Sequence, residues 1–278
     1  MKIIDGKALA MKLRAQIKAD VEQMNKKPGL AVVIVGNDSA SQIYVRNKIK
    51  ACAEVGIRSY AYELSESATQ AEVENLLDEL AQNSEIDGIL LQLPLPKHLD
   101  SESAMAHIPV AKDVDGFSAE HLGLLTLHKE EIVPCTPLGV MKLLENEGVD
   151  LKGKNAVVLG RSDTVGKPMA MLLLNADATV TICHSKTQNI KKICQNADII
   201  VSAVGKAGFV TADMVKDGVI IIDVGMNRDA NGKLCGDVDF EAVKEKSAAI
   251  TPVPGGVGPM TITMLMHNTY IAALKNKE

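Results

Sequence analysis

The chain has 278 residues, 46% of them hydrophobic and 23% charged, which is ordinary for a globular enzyme with one large core or two modest ones. Its formal net charge of −5 and its aromatic set of four Tyr, three Phe and no Trp exclude the basic, base-stacking surface of a nucleic-acid-binding protein. No segment approaches the roughly 20 apolar residues that span a bilayer, and the first six residues become charged too early for a secretory signal.

Cysteine and histidine usage indicates the compartment and argues against a metal. The five cysteines are odd in number and include no Cys-x-x-Cys pair, as is typical of reduced, packed thiols in a cytoplasmic protein. The six histidines form no His-x-x-x-His pair, so the sequence predicts no metal site.

The first part of the chain alternates helical and strand patterns. Leu9, Leu13, Ile17 and Val21 recur every fourth residue, which predicts one apolar face of a helix. The predicted elements are a helix over 5–24, a strand over 30–35, a helix over 39–53, a strand over 58–63, a helix capped by Thr69 and ending near 82, and a strand over 87–93. This order predicts a small parallel sheet covered by helices.

The middle of the chain, residues 94–136, has no periodic pattern and is predicted to be irregular. Thr136 followed by Pro137 then indicates a helix start, with the threonine as its cap. The elements predicted after it are helices over 137–147, 166–174, 188–195 and 259–274 and strands over 155–159, 179–183, 198–201, 219–223 and 248–250. Such alternation is typical of a doubly wound sheet.

We therefore expect an α/β protein of two α/β domains with an active-site cleft between them. The first domain should span residues 1–118 and be joined by the C-terminal helix over 259–278. The second should span 119–258 and be a Rossmann-like, doubly wound parallel sheet.

The most informative stretch is the turn that follows the strand over 155–159. Gly160 permits a tight turn, and Gly166 lets the next helix approach the strand closely. Unpaired N–H groups at that helix start are expected to receive a pyrophosphate. Although Gly160-Arg161-Ser162 departs from the strict Gly-x-Gly-x-x-Gly fingerprint, it favours a dinucleotide cofactor. The alternative is a purely structural turn.

The end of the strand over 179–183 indicates which dinucleotide binds. An NAD site usually places Asp or Glu there to bind the ribose 2′-hydroxyl. Here His184, Ser185 and Lys186 follow instead, with no carboxylate. Together with Arg161 they suit a 2′-phosphate, so the sequence predicts NADP. The alternative is a polar loop that merely lacks an acid.

Three more segments follow predicted strands at the edge where open α/β sheets bind ligands. Two of them are residues 203–205 and 223–226, the second ending in Met226. The third, residues 252–259, sets three glycines among prolines, which suggests backbone lying against a ligand. Its candidate residues, with one from the next turn, are Gly255, Gly256, Gly258, Pro259 and Thr261.

The substrate signal lies in the first domain. Tyr44 and Lys48 share one helical face, although a single lysine on such a face is usually only solvated. Gln92 ends an apolar strand and is either a satisfied core amide or a pocket lining. Asp113 and Asp115, two residues apart, could form a turn, a metal site or a ligand clamp.

Taken together, these segments closely resemble the bifunctional methylenetetrahydrofolate dehydrogenase/cyclohydrolase family over essentially the whole chain. The segments that carry the resemblance are Tyr44-Val-Arg-Asn-Lys48, Leu91-Gln92-Leu93-Pro94-Leu95-Pro96, Lys112-Asp-Val-Asp115-Gly116, Gly160-Arg-Ser162 and residues 252–259. One departure is Asp163-Thr164, where the family often has Asn followed by an apolar residue. The added carboxylate, beside a phosphate loop, raises the question of weaker cofactor binding.

The resemblance implies a bifunctional enzyme of one-carbon metabolism that supplies purine biosynthesis. It implies oxidation of 5,10-methylenetetrahydrofolate with NADP by the second domain, then hydrolysis of the 5,10-methenyl product to 10-formyltetrahydrofolate. It further implies a tetrahydrofolate substrate bound by the first domain and a homodimer.

The resemblance also implies residue roles. Lys48 would be the catalytic lysine, Gln92 would orient it, and Tyr44 would stack along folate. Asp115 would accept hydrogen bonds from the pterin amino edge, and the loop over 255–259 would close over the substrate. The implied NADP contacts are Gly160, Arg161, Ser162, Ser185 and Met226.

Two other readings stay open. One is an NADP-dependent amino-acid or shikimate-type dehydrogenase, which shares the two-domain plan and a substrate lysine but does not explain the glycine-rich loop. The other is a non-catalytic NADP-binding sensor.

Overall fold

The computed structural model describes residues 1–276 of the chain, which form two compact units. The six-stranded unit comprises Met1–Met11, Leu125–Lys129 and Pro134–Thr261, and the three-stranded unit comprises Lys12–Leu124, Glu130–Val133 and residues 262–276. The last two residues of the predicted C-terminal segment, 277–278, lie outside the described residues.

The elements alternate along the chain as an α/β protein requires. The strands are β1 (Lys2–Ile3), β2 (Gly29–Val35), β3 (Arg58–Leu64), β4 (Gly88–Leu91), β5 (Asn155–Leu159), β6 (Thr179–Cys183), β7 (Ile199–Ser202), β8 (Val219–Asp223), β9 (Asn227–Arg228), β10 (Leu234–Cys235) and β11 (Ser247–Ile250). The helices are α1 (Gly6–Glu22), α2 (Ser39–Val55), α3 (Gln70–Gln82), α4 (Ser101–Ala106), α5 (Ala119–Thr126), α6 (Cys135–Asn146), α7 (Gly166–Asn175), α8 (Ile190–Cys194), α9 (Phe240–Lys244) and α10 (Val257–Lys275).

The three-stranded unit is built on a parallel sheet with the order β3-β2-β4. Every residue of β2 is buried, as a central strand covered on both faces should be. Thr69 caps α3 in a reciprocal capping box with Glu72, which confirms the predicted helix start. The small parallel sheet predicted from the β-α-β-α-β order is therefore confirmed.

The six-stranded unit contains a wholly parallel sheet with the order β1-β11-β8-β7-β5-β6. From β5 the chain moves outward to β6 and then returns to form β7 on the other side of β5. This reversal is the hallmark of a doubly wound sheet and opens a crevice beyond the carboxyl ends of β5 and β7. The predicted Rossmann-like sheet is confirmed.

Three predictions about local structure were wrong or incomplete. Residues 94–136 are not irregular, because they hold α4, α5 and a 3-10 turn at Val110–Lys112, all too short to show a periodic pattern. Thr136 does not cap a helix: α6 begins at Cys135, and Thr136 lies in its first turn. The sequence reading also missed the β9–β10 hairpin, although Asn231-Gly232 between the strands is a strong hairpin signal.

Candidate functional site

One face of α2 carries Tyr44, Lys48 and Cys52, one helical turn apart. Tyr44 and Lys48 are half-buried, whereas Cys52 is fully buried. Burial raises the pKa of Tyr44 and raises the pKa of the Cys52 thiol to about 12, so both groups stay protonated near neutral pH. Lys48 is the amine on this face, with a phenol one turn before it and a buried thiol one turn after.

Lys48 is held by Gln92, which the chain positions just beyond the carboxyl end of β4. Lys48 Nζ donates a hydrogen bond of 2.9 Å to Gln92 Oε1. Gln92 Nε2 donates to the Leu93 carbonyl at 2.6 Å, so the amide can turn only its oxygen toward the lysine. The Gln92 backbone N–H extends the sheet by donating to the Val33 carbonyl at 2.8 Å. Two residues singled out separately in the sequence thus form one pair, fixed to the central strand.

The segment with two aspartates contains one carboxylate, that of Asp113, which holds the turn together, and a second one, that of Asp115, two residues later. Asp113 is buried and accepts from the N–H groups of Gly116 and Ser118 at 2.9 and 2.7 Å, and it lies 3.1 Å from His121 Nδ1. It therefore forms the turn, one of the three interpretations that the sequence left open. Asp113 also bridges Ile89 of β4 in parallel, so Asp115 and Gln92 both lie beyond the carboxyl end of β4. Asp115 is half-buried there.

The turn after β5 in the six-stranded unit is closed by two glycines. Gly160 has φ +114°, and a Cβ at this position would lie 2.3 Å from the Ala203 carbonyl oxygen. A Cβ at Gly166 would lie 2.4 Å from the Gly160 carbonyl oxygen. Both positions require glycine, which brings the start of α7 and the end of β7 against this turn.

The N–H groups available for a phosphate are not the ones the sequence predicted. Ser162 Oγ accepts from the N–H groups of Val165 and Gly166 at 3.2 and 3.3 Å, and the Ser162 carbonyl accepts from Lys167 at 3.0 Å. The N–H groups of Gly166 and Lys167, the first two residues of α7, are therefore used within the protein, because the hydroxyl and carbonyl oxygens of Ser162 accept from them. In the described part of the chain, the N–H groups of residues 161–164 have no partner. Four successive donors in a glycine turn fit a pyrophosphate.

Donors suited to a 2′-phosphate lie on the neighbouring strand end. Because Leu159 pairs with Cys183, Arg161 and Ser185 follow adjacent parallel strands. A tight turn begins at His184, whose N–H donates to Thr187 Oγ1 at 2.9 Å, and it leaves Ser185 and Lys186 exposed at its tip. No carboxylate lies in this turn. The arrangement fits the phosphate of NADP better than the free ribose of NAD.

The unusual carboxylate of Asp163 is paired within the turn and helix. Its side chain forms an ion pair with Lys167, one helical turn away, and both groups are largely exposed. The pair offsets the added negative charge beside the phosphate donors.

Two buried aspartates support the ends of β7 and β8: Asp223, which begins the segment 223–226 noted in the sequence, and Asp237, which the sequence analysis did not single out. Asp223 accepts from the N–H groups of Gly225, Asp237 and Val238, each at 2.9 Å. Burial raises the pKa of Asp223 to about 6, against these hydrogen bonds. Met226, which follows this network, is half-exposed beyond β8. A single sequence offers no signal that separates Asp237 from a surface aspartate.

The glycine-rich segment begins α10 earlier than predicted, at Val257, so Gly258, Pro259 and Thr261 lie in its first turns. Gly255 has φ +110°, and its carbonyl accepts from the Lys7 N–H at 3.0 Å. A Cβ at Gly6 would lie 1.8 Å from the Gly256 carbonyl oxygen, so α1 begins directly against this segment.

Thr261 also has a partner in α6. Its Oγ1 lies 2.9 Å from Thr136 Oγ1, and a Cβ at Gly139 would lie 2.9 Å from Met260 Cβ. The close approach of α6 and α10 at Gly139 fixes Thr261. It also gives Thr136 a role that the capping prediction missed.

Within residues 1–276, no group of three or more His, Cys, Asp or Glu side chains is arranged to hold a metal ion. No helix in the same range is long and apolar enough to cross a membrane.

The sequence matches two family models in tandem. Residues 4–115 match the catalytic domain of tetrahydrofolate dehydrogenase/cyclohydrolase, and residues 134–277 match its NAD(P)-binding domain. The chain is 56% identical over 276 residues to the bifunctional protein FolD of Campylobacter concisus, with 98% of each sequence covered.

Solved structures give the same result. The chain superposes on the bifunctional FolD methylenetetrahydrofolate dehydrogenase/cyclohydrolase of Campylobacter jejuni with a TM-score of 0.97 and 48% identity, covering all of both chains. The Trypanosoma brucei enzyme, solved with NADP cofactor and an inhibitor, gives a TM-score of 0.95 and 40% identity, covering 99% of this chain and 98% of that one. Shikimate dehydrogenase of Thermus thermophilus shares only the fold, at 17% identity and a TM-score of 0.53.

Proposed function

Because the chain belongs to the tetrahydrofolate dehydrogenase/cyclohydrolase family, we infer that it is a bifunctional enzyme of one-carbon folate metabolism that uses NADP. It oxidises 5,10-methylenetetrahydrofolate to the 5,10-methenyl form and hydrolyses that product to 10-formyltetrahydrofolate. The observation that carries this function is the Lys48–Gln92 hydrogen bond, formed within the part of the chain that matches the family's catalytic domain. The shikimate-type alternative keeps only a distant likeness of fold.

The six-stranded unit supplies the dehydrogenase half. NADP, when bound, would supply the acceptor for the hydride of the folate bridge carbon, and the turn from Gly160 to Ser162 together with Ser185 would hold it. The folate nitrogens stabilise the cation on that carbon. The chain needs no strong base for this step and contributes binding and orientation. We assign the pyrophosphate to the turn from Gly160 to Ser162, the 2′-phosphate to Arg161 and Ser185, and a backbone contact to Met226.

The three-stranded unit supplies the cyclohydrolase half. A water oxygen bonds to the bridge carbon of the methenyl cation, and Lys48 takes the proton that the water releases. The bond from that carbon to N5 then breaks: N5 keeps the bonding pair and takes up a proton, while the added hydroxyl loses its proton and becomes the carbonyl of the formyl group that stays on N10. Gln92 fixes the lysine through its carbonyl oxygen, and Tyr44 stacks along the folate one turn away on α2.

The remaining substrate contacts are proposed from their chemistry. The Asp115 carboxylate accepts hydrogen bonds from the amino edge of the pterin, a donor pattern that suits an acceptor-only group. Around the start of α10, Gly255, Gly256 and Gly258 let backbone lie close to the folate. Pro259 and Thr261 hold this segment in place.

We also propose a cytoplasmic homodimer that supplies formyl groups for purine biosynthesis and binds no nucleic acid. The proposed self-association is supported by β3, which is an edge strand of its sheet and has seven residues but no proline or lysine to block further pairing. Light scattering of the purified chain tests it, and a monomeric mass at micromolar concentration would contradict it.

One spectrophotometric assay tests the function. The purified chain is mixed with 5,10-methylenetetrahydrofolate and NADP, and NADPH formation is followed by absorbance. We expect turnover with this folate and none with shikimate or amino acids. Cofactor binding without turnover would favour the non-catalytic sensor, whereas turnover of shikimate alone would favour the other dehydrogenase.

A further inference from the structure

The six-stranded unit contains a fully buried carboxylate, Asp237, whose bonds all go to neutral donors. Its Oδ2 accepts from the Val204 N–H at 2.7 Å and from Ser202 Oγ at 3.1 Å. Its Oδ1 accepts from the Lys206 N–H and from Asn227 Nδ2, both at 2.9 Å. No Lys, Arg or His of the described residues forms an ion pair with it. A buried charge held only by such donors depends on keeping all of them.

These donors come from the ends of two different strands. Val204 and Lys206 follow β7, and Asn227 begins β9 shortly after β8. The β9–β10 hairpin pairs Asn227 with Cys235, which returns the chain so that Asp237 lies opposite Gly225. The fit leaves no room for a side chain, because a Cβ at Gly225 would lie 2.2 Å from Asp237 Oδ1.

Both strand ends border the crevice of the doubly wound sheet. Ala203 directly precedes the segment held by Asp237 and lies against the turn at Gly160. A Cβ on Gly160 would lie only 2.3 Å from the Ala203 carbonyl oxygen. Met226 is the neighbour of Asn227 and is half-exposed at the same edge. Ligands of open α/β sheets bind at this edge, beside the strands where the order reverses.

We propose that Asp237 is a positioning residue for NADP, which holds residues 204–206 and 226–227 in their binding conformation without touching the cofactor. The inference rests on the proposed use of NADP. A carboxylate is needed because both of its oxygens accept at once. Asparagine at this position turns an NH₂ group toward donors and leaves some of them unsatisfied.

The test is titration calorimetry of NADP into the full chain carrying Asp237→Asn. We expect the dissociation constant to rise about tenfold or more, since several oriented hydrogen bonds to a charged acceptor are lost. Hydrolysis of the methenyl substrate should keep its wild-type rate, because Lys48 and Gln92 lie in the other unit. The control is Asp198→Asn: Asp198 accepts from the Asn155 N–H at 2.8 Å and pairs with Lys216 at 2.6 Å, but it precedes β7, at the opposite edge of the sheet.

The outcomes separate positioning from general stability. A higher dissociation constant in Asp237→Asn but not in Asp198→Asn, with hydrolysis retained, supports the proposal. Wild-type NADP affinity in Asp237→Asn overturns it, as does an equal loss in the control or an equal loss of hydrolysis.

A milder variant decides the matter if Asp237→Asn does not fold. Asn227→Ala removes one donor and leaves the other bonds in place, and it should still weaken NADP binding several-fold. Unchanged affinity in this variant overturns the proposal. If the wild-type chain itself binds no NADP, the proposed function fails instead, which is a separate result.

Discussion

The hydrogen bond between Lys48 and Gln92 makes a quantitative prediction about hydrolysis. Lys48→Met removes the group that takes the proton and should slow hydrolysis of the methenyl substrate by about 10²- to 10⁴-fold, while part of the dehydrogenase activity remains. Gln92→Ala removes one 2.9 Å bond to the lysine. A hydrogen bond of this kind is worth about 0.5–1.5 kcal/mol, and the upper end of that range corresponds to a loss of about tenfold.

The double variant tests whether the two residues act as one unit. If Gln92 works through Lys48, then adding Gln92→Ala to Lys48→Met should slow hydrolysis no further, and the coupling free energy should be about 1.4 kcal/mol. The assay is the decay of methenyl absorbance under saturating substrate. Independent, multiplying losses would refute the positioning role of Gln92, and a wild-type rate in Lys48→Met would refute the role of the lysine.

Three further predictions concern the six-stranded unit. Arg161→Ala should lower kcat/KM for NADP about tenfold and leave that for NAD unchanged, and equal wild-type efficiency with both cofactors would contradict this assignment. Gly166→Ala should weaken NADP binding and lower Tm, because the new Cβ would lie 2.4 Å from the Gly160 carbonyl oxygen. The control Gly123→Ala in α5 should change neither, because its Cβ would have no atom within 4 Å. Asp223 has a pKa raised from 3.8 to about 6, so the folded state holds its proton more tightly and this residue's contribution to stability falls as pH rises from about 4 to 6. In urea unfolding, the free energy of unfolding of Asp223→Asn relative to that of the wild type should therefore increase by about 3 kcal/mol as pH rises across that range. A decrease would contradict a buried charge at Asp223.

Sequence reasoning predicted the parts of the fold that rest on local pattern. The strand Thr179–Cys183 has the predicted bounds, because a β-branched run between polar turns is unambiguous. The prediction that the middle segment is irregular was wrong, since α4 has only six residues, too few to show a helical period in the sequence. The Thr136 cap failed for another reason: α6 begins one residue earlier, so Thr136 lies inside the first turn, where its hydroxyl pairs with Thr261 on α10. A sequence pattern does not reveal such tertiary partners.

The candidate site was predicted as a set of residues but not as an arrangement. Lys48 and Gln92 are 44 positions apart, and only the sheet register makes them partners. Ser162 was expected among the cofactor contacts, and its hydroxyl also accepts from the N–H groups of Val165 and Gly166, a use that depends on backbone geometry. Nothing in the sequence indicates a role for Asp237, because that role depends on hydrogen-bond donors that only the folded hairpin brings close to it.

The start of α1 against Gly255 and Gly256 has a consequence for how the protein is made. Residues 2–7 leave the ribosome long before residues 247–255, yet β1 pairs with β11, and the Lys7 N–H donates to the Gly255 carbonyl. The nucleotide-binding sheet therefore cannot acquire its outer strand until β11 has been translated. Trimming or tagging that reaches residues 2–6 should disturb the glycine segment directly, even though the two are far apart in the gene.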